Sequence, residues 1–262
     1  MNLRSRLGDV RRRLLCSVHR RTVALGCLGP VVSFSFDDFP RTAYSVGGAI
    51  LEKFGARGTY YVAAGLMNSS DELGDQFQAQ DLDSLLEKGH ELGSQTFHHS
   101  SARKVSIERF QQDVASGRKA LREMTGADPL NFAYPYGHVT SQSKRVVGPT
   151  LTSSRSNFPG FNGPDVDLNL LKANRLYGDV EQSRSAENLI VENAANRTWL
   201  IFYTHDVRPQ PSTYGCTPAL FESVVSFASR SGSRILTVQE VLAELGVQSG
   251  EPKQRLAEVA CR

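Results

Sequence analysis

The stretch VVSFSFDD, residues 31–38, is a short apolar and β-rich run that stops at two aspartates. This pattern predicts a buried strand that delivers Asp37 and Asp38 at its carboxyl end. Predicted helices and strands alternate after it. We expect helices at 43–54, 79–88, 106–124, 181–196, 218–231 and 239–245, and strands at 58–63, 91–96, 130–134, near 150–153, near 171–176, 198–204 and 234–238. This order indicates an α/β fold, a distorted (β/α) barrel of about seven parallel strands whose polar strand ends share one rim.

The composition is typical of one catalytic domain. The 262 residues are 40% hydrophobic and 22% charged, which is enough to bury a substantial core. We divide the chain into a basic segment 1–30, a domain 31–245 and a polar tail 246–262. The four cysteines are scattered without a C-x-x-C pair, which argues against a thiolate zinc site or a disulfide framework and predicts reduced thiols.

The positive charge of the chain is concentrated at its start, where residues 1–30 hold seven arginines and one aspartate. Apolar residues recur there at helical spacing and predict a basic amphipathic helix: Leu3, Leu7, Val10, Leu14 and Val18. Such a helix either contacts an anionic membrane as a peripheral anchor or packs on the barrel. No apolar run has the length of a secretory signal or a membrane span, so we expect a cytoplasmic protein, with peripheral contact at the inner membrane face left open. No nucleic-acid partner is expected.

Four segments with polar or unusual residues fall at predicted strand ends, in the order FSFDD, GHELGSQTFHHS, FAYPYG and YTHD. This series resembles the motifs of the polysaccharide deacetylase family. Members of that family share the NodB-homology domain and are similar to carbohydrate esterase family 4. The resemblance runs from about residue 31 to 241. It implies a metal-dependent hydrolase with a divalent cation, zinc first and cobalt, nickel or manganese as alternatives.

The resemblance assigns the metal site and the catalytic base. It makes Asp37 the base and Asp38 a metal ligand, and it puts a histidine ligand on His99. Where the family pattern expects another histidine, this chain has Gln95, a poorer zinc donor. Three interpretations stay open: His98 replaces the missing ligand, Gln95 ligates weakly or through water, or the metal site is lost.

The resemblance also implies the remaining catalytic groups. His205 is the expected general acid, and the backbone N–H of Tyr136 is expected to bind the oxyanion while its ring supports a sugar. The arginine of the third motif is replaced by Ala133, and we expect Arg175 to supply the positive charge beside Asp37 instead. In the segment before the histidines, Glu91 is expected to be surface charge.

The function implied is the removal of acetyl groups from N-acetylated sugars of a glycan or a lipid-linked saccharide, with an acetylated carbohydrate as the partner. The sequence leaves two alternatives open. The first is a carbohydrate-binding homologue that has lost the metal site, motivated by Gln95. The second is an O-acetyl esterase or a non-sugar amidase, which would use the same groups.

Overall fold

The computed structural model describes residues 3–247. Its strands are β1 (Thr22–Ala24), β2 (Val31–Asp37), β3 (Thr59–Val62), β4 (Ser70–Asp71), β5 (Gly74–Asp75), β6 (Glu91–Ser94), β7 (Asn131–Ala133), β8 (Ser153–Arg155), β9 (Asp165–Asp167), β10 (Asn174–Arg175), β11 (Trp199–Thr204) and β12 (Arg234–Ile235). Its helices are α1 (Leu3–Ser17), α2 (Ala49–Lys53), α3 (Ala79–Glu87), α4 (Ile107–Thr125), α5 (Ser141–Val147), α6 (Ser183–Asn196), α7 (Pro218–Arg230) and α8 (Val238–Glu244). A π-helical turn, Ala43–Gly48, leads into α2.

The main sheet is a curled half-barrel in the order β10-β11-β2-β3-β6-β7-β8, and β12 pairs with the start of β2. Every pairing in it is parallel. Because parallel strands need crossover connections, helices separate most of the strands along the chain. The predicted α/β barrel of about seven parallel strands is confirmed.

Side-chain alternation on the two central strands decides which residues face the barrel interior. On β2, Phe34 and Phe36 pack with α6 and α7 in one hydrophobic cluster. The alternate positions of β11, Trp199 and Ile201, belong to a second cluster inside the barrel. Successive side chains of a strand point to opposite faces, so the interior row of β2 ends at Asp37.

The end of the barrel opposite this rim is closed by α8, which packs on the interior cluster. Glu91, at the start of β6, is 5% exposed and anchors this helix. Its carboxylate accepts hydrogen bonds from Thr59 Oγ1 (2.7 Å), Asn131 Nδ2 (2.6 Å) and the Gln239 N–H (2.8 Å). The expectation that Glu91 is surface charge is therefore wrong.

The C-terminal end of helix α1 packs against the domain. Leu15 of α1 is buried, and Lys144 donates hydrogen bonds to the carbonyls of Leu15 (2.9 Å) and Val18 (2.8 Å). This contact agrees with the interpretation in which the helix packs on the barrel, although Val10 and Leu14 are 64% and 58% exposed. None of the helices within residues 3–247 combines the length and apolarity of a membrane span.

The structure corrects the expectation for the cysteines and shows how the basic segment joins the domain. Cys16 and Cys216 are free thiols, whereas Cys27 is disulfide-bonded, so the expectation of reduced thiols throughout is wrong. β1 pairs antiparallel with β9, which joins part of the basic segment to the domain. Residues 248–262, which include most of the predicted polar tail, lie outside the described residues.

Candidate active site

Asp37 is the last residue of β2, and its carboxylate pairs with a buried arginine. The partner is Arg155, the last residue of β8, whose Nη2 donates to Asp37 Oδ1. Arg175, which the sequence analysis proposed for this role, is exposed at the end of β10. The positive charge beside Asp37 therefore comes from Arg155. The sequence signal for Arg155 is the one used for Asp37, a charged residue at the end of a strand. It was missed because this strand was predicted to end near residue 153, two residues before Arg155.

Asp38 follows β2 and contacts the second polar segment. Its Oδ1 lies 3.0 Å from His99 Nε2, and its backbone N–H donates to Gln95 Oε1 at 3.2 Å. The amide nitrogen of Gln95 lies 3.1 Å from the same His99 nitrogen. Gln95 follows β6, so the carboxyl ends of two strands bring these three side chains together.

The charges of this group support one another. Burial alone would raise the pKa of Asp38, but the close contact with His99 and its charge, with the charges of His205 and Arg155, lower it. Burial alone would lower the pKa of His99, but its close contact with Asp38 and the negative charge there raise it. The pair therefore favours an ionised carboxylate beside an imidazole that readily takes a proton.

His98 does not join this group. Its side chain is 72% exposed, and its Nδ1 lies 2.7 Å from Asp113 Oδ1 on α4. The same aspartate accepts the backbone N–H of His98 at 3.2 Å. The interpretation in which His98 replaces the missing ligand is therefore not supported by its position.

His205 follows β11 and faces Asp38 from the neighbouring strand. Its Nε2 lies 3.9 Å from Asp38 Oδ2, and its Nδ1 lies 3.1 Å from the carbonyl oxygen of Tyr214. Because a carbonyl only accepts, Nδ1 carries the proton, which leaves Nε2 as the atom that exchanges a proton toward the site.

The loop that supplies this carbonyl depends on Asp206, which sequence reasoning did not use. Asp206 is fully buried and accepts the N–H of Ser212 at 2.8 Å, while its backbone carbonyl accepts the N–H of Cys216 at 2.9 Å. Gly215 fits against it because a Cβ there would lie 2.3 Å from Asp206 Oδ1. This loop fixes Tyr214, and Tyr214 fixes the tautomer of His205.

Tyr136 forms the exposed edge of the site. Its ring centroid lies 4.5 Å from that of His99, and the residue is 56% exposed. Burial, together with the nearby charge of Asp38, raises the pKa of its hydroxyl. Aromatic faces pack well on the apolar faces of sugar rings, so Tyr136 is suitably placed as a platform.

The backbone of the rim is strained at several non-glycine residues. Left-handed φ angles occur at Asp38 (66°), Phe39 (70°), Thr96 (66°), His99 (54°) and Tyr136 (60°). Such conformations cost about 1–3 kcal/mol each at residues that are not glycine and cluster at functional sites. Their concentration beside the convergent polar side chains marks this rim as the candidate active site.

The residues present fit a divalent cation through two strong ligands. Asp38 Oδ1 is buried without an aligned hydrogen bond among the described residues, and it faces His99 Nε2. Their 3.0 Å separation is short enough for both atoms to hold one cation between them. Gln95 adds only a neutral amide, and residues 3–247 hold no group of three His, Cys, Asp or Glu suited to a metal. The site therefore fits a cation held less tightly than by three charged or imidazole ligands.

The architecture is that of the family 4 carbohydrate esterases. A family 4 acetyl xylan esterase from Clostridium thermocellum superposes with a TM-score of 0.56 at 17% identity, covering 83% of this chain and 93% of that one. Bacillus subtilis PdaA, a family 4 carbohydrate esterase, gives a TM-score of 0.56 at 11% identity, with coverage of 89% and 88%. At these identities the likeness establishes the fold.

Residues 28–148 match the family model described as polysaccharide deacetylase, so the resemblance stated from the sequence motifs is confirmed over this part of the chain. The peptidoglycan-N-acetylglucosamine deacetylase PgdA of Listeria monocytogenes is 25% identical over 118 residues, which are 45% of this chain and 24% of that protein. The peptidoglycan-N-acetylglucosamine deacetylase of Bacillus cereus is 26% identical over 110 residues, which are 42% and 47%. The chain thus spans less than half the length of these relatives.

Proposed function

We propose that this protein is a hydrolase that removes acetyl groups from N-acetylated sugars of a glycan. One observation carries the proposal: Asp37, Asp38, His99 and His205 come from the ends of three parallel strands and meet at one strained rim. Carboxylates and imidazoles in contact are the groups that amide hydrolysis needs for general base and general acid catalysis. The names of the relatives support N-acetylglucosamine in a cell-wall glycan as the substrate.

Each chemical requirement of amide hydrolysis has a group at the rim. Asp38 and His99 would hold the cation, which when bound would polarise the acetyl carbonyl and lower the pKa of water toward about 7. Asp37 takes the proton of the attacking water, and the backbone N–H of Tyr136 donates to the oxyanion. His205 then gives the proton on Nε2 to the departing amine, and acetate leaves.

The proposal is tested by acetate release from N-acetylglucosamine oligosaccharides supplied with zinc or cobalt. Asp37→Asn and His205→Gln should each lower kcat by about 10²–10⁴-fold, the usual contribution of a general base or acid. His98→Gln is the matched control, because this histidine neighbours His99 but its exposed side chain contacts Asp113 instead. A wild-type rate in Asp37→Asn would refute the assignment.

One observation favours a second candidate, a carbohydrate-binding protein without catalysis. The amide nitrogen of Gln95 faces the same nitrogen of His99 that a cation would use. Calorimetric titration with zinc should show tighter binding to Gln95→His than to the wild type, because an imidazole replaces an amide. If the wild type binds the oligosaccharide but releases acetate only after this substitution, the binding function is the correct one.

A further inference from the structure

Arg155 is an unusual residue for the interior of a barrel. It is 2% exposed, although arginine is almost never fully buried unless it is paired. Its guanidinium carbon lies 4.8 Å from the ring centroid of Tyr61 and 5.1 Å from that of Tyr203. Nη1 donates to the carbonyl of Ser156 at 3.1 Å, and Nη2 donates to Asp37. Two aromatic contacts and two hydrogen bonds therefore fix the guanidinium group.

The strand register explains how this arginine reaches Asp37. In the parallel pair β7–β8, Arg155 lies directly opposite Ala133, the position at which the third motif places its arginine. Residues paired in this way project to the same face of a sheet. A side chain from position 155 therefore enters the same part of the rim as a side chain from position 133, and the methyl group of Ala133 is small.

We propose that Arg155 is the positioning residue of Asp37 and that it has taken over, from the adjacent strand, the role of the motif arginine missing at position 133. This inference rests on the proposed deacetylase function. The guanidinium group is itself held by the Ser156 carbonyl and by the rings of Tyr61 and Tyr203, so its hydrogen bond from Nη2 fixes the orientation of the Asp37 carboxylate toward the attacking water. A lysine ammonium on a flexible stem lacks the planar group that makes these contacts.

Three variants separate positioning from a structural role. Arg155→Lys keeps the charge but loses the planar group that is held by Ser156 and the two tyrosine rings, and kcat should fall by about 10–100-fold with KM within about threefold, since small misplacements of a reacting group have effects of this size. Arg155→Ala should lower kcat further than Arg155→Lys does. The transplant Ala133→Arg with Arg155→Ala should recover at least about tenfold of that loss, because it returns a guanidinium group to the same part of the rim.

The control is Arg118→Ala, which removes an arginine from an exposed ion pair with Asp128 and should leave kcat unchanged. Thermal melting of every variant measures how much protein is folded. A kcat loss in Arg155→Lys that merely follows the unfolded fraction, or a transplant without recovery, would overturn the proposal.

A second measurement does not depend on turnover. Crystal structures of the wild type and Arg155→Ala should show that the Asp37 carboxylate changes orientation when the arginine is removed. An unchanged carboxylate would contradict positioning even if the wild type is active. If the wild type releases no acetate from any substrate, the proposed function fails, while the orientation of Asp37 still decides the role of Arg155.

Discussion

The substitution Glu91→Ala tests the closure of the barrel at the end opposite the candidate active site. Glu91 accepts three hydrogen bonds, and two of the donors, Asn131 Nδ2 and the Gln239 N–H, are held by the fold and cannot turn toward water. The third, Thr59, also accepts the N–H of Val238 at 3.1 Å through its hydroxyl oxygen. Removing the carboxylate leaves these donors buried without an acceptor.

The size of the effect follows from these contacts. Each buried donor without a partner costs about 1–3 kcal/mol, so two of them cost about 2–6 kcal/mol. Part of this is offset, because burial raises the pKa of Glu91 and shows that the charged carboxylate is itself costly there. We expect Glu91→Ala to lower the free energy of unfolding by about 3–4 kcal/mol.

Urea unfolding followed by circular dichroism measures this loss, provided that the dependence of the free energy of unfolding on urea concentration is the same in both proteins. Glu87→Ala is the matched control, since Glu87 is exposed at the end of α3, and it should change the free energy of unfolding by less than about 0.5 kcal/mol. Glu91→Gln keeps an acceptor oxygen and should lose less than Glu91→Ala. Equal effects of Glu91→Ala and Glu87→Ala would refute the reasoning.

Three further predictions concern the metal, the pH dependence and the N-terminal helix. Treatment with a chelator should remove most of the acetate release, and added zinc or cobalt should restore it; full activity in the chelated protein would exclude a catalytic cation. Burial lowers the pKa of His90, and the hydrogen bond and charge of Glu52 only partly oppose this effect. In the unfolded chain the same histidine takes up a proton below about pH 6.5, whereas the folded protein favours its neutral form. The free energy of unfolding should therefore fall as pH drops from about 7 toward 5, and urea titrations of His90→Gln should show a shallower fall; identical slopes would contradict this origin. Lys144→Met should cost about 3–5 kcal/mol and expose α1 to trypsin, because it leaves Asp167 without its cation; an unchanged cleavage pattern would show that the helix is held elsewhere.

The sequence was sufficient to predict the cluster of Asp37, Asp38, His99 and His205, for a simple geometric reason. Each of these residues ends a strand or comes shortly after one, and the carboxyl ends of parallel strands meet at one edge. What periodicity cannot report is the exact residue at which a short strand stops. β8 ends at Arg155, two residues beyond its predicted end, and this small difference concealed the partner of Asp37.

Burial of a charged residue was the second feature that local patterns could not predict. Glu91 resembles any surface glutamate in its own segment, and its partners Asn131 and Gln239 lie 40 and 148 residues further along the chain. Only the folded topology brings them together. The same is true of Asp206, whose role depends on the loop that returns to Tyr214.

The candidate site combines residues from both halves of the chain, which matters for chimeras between related proteins. The family match ends at residue 148, before the strands that carry Arg155 and His205. A chimera that joins residues 28–148 to the second half of another barrel would keep Asp38 and His99. The residues in place of Arg155 and His205 would then come from the other protein. Because Ala133 replaces the motif arginine in the retained part, such a hybrid would leave Asp37 unpaired unless the donor strand also ended in arginine.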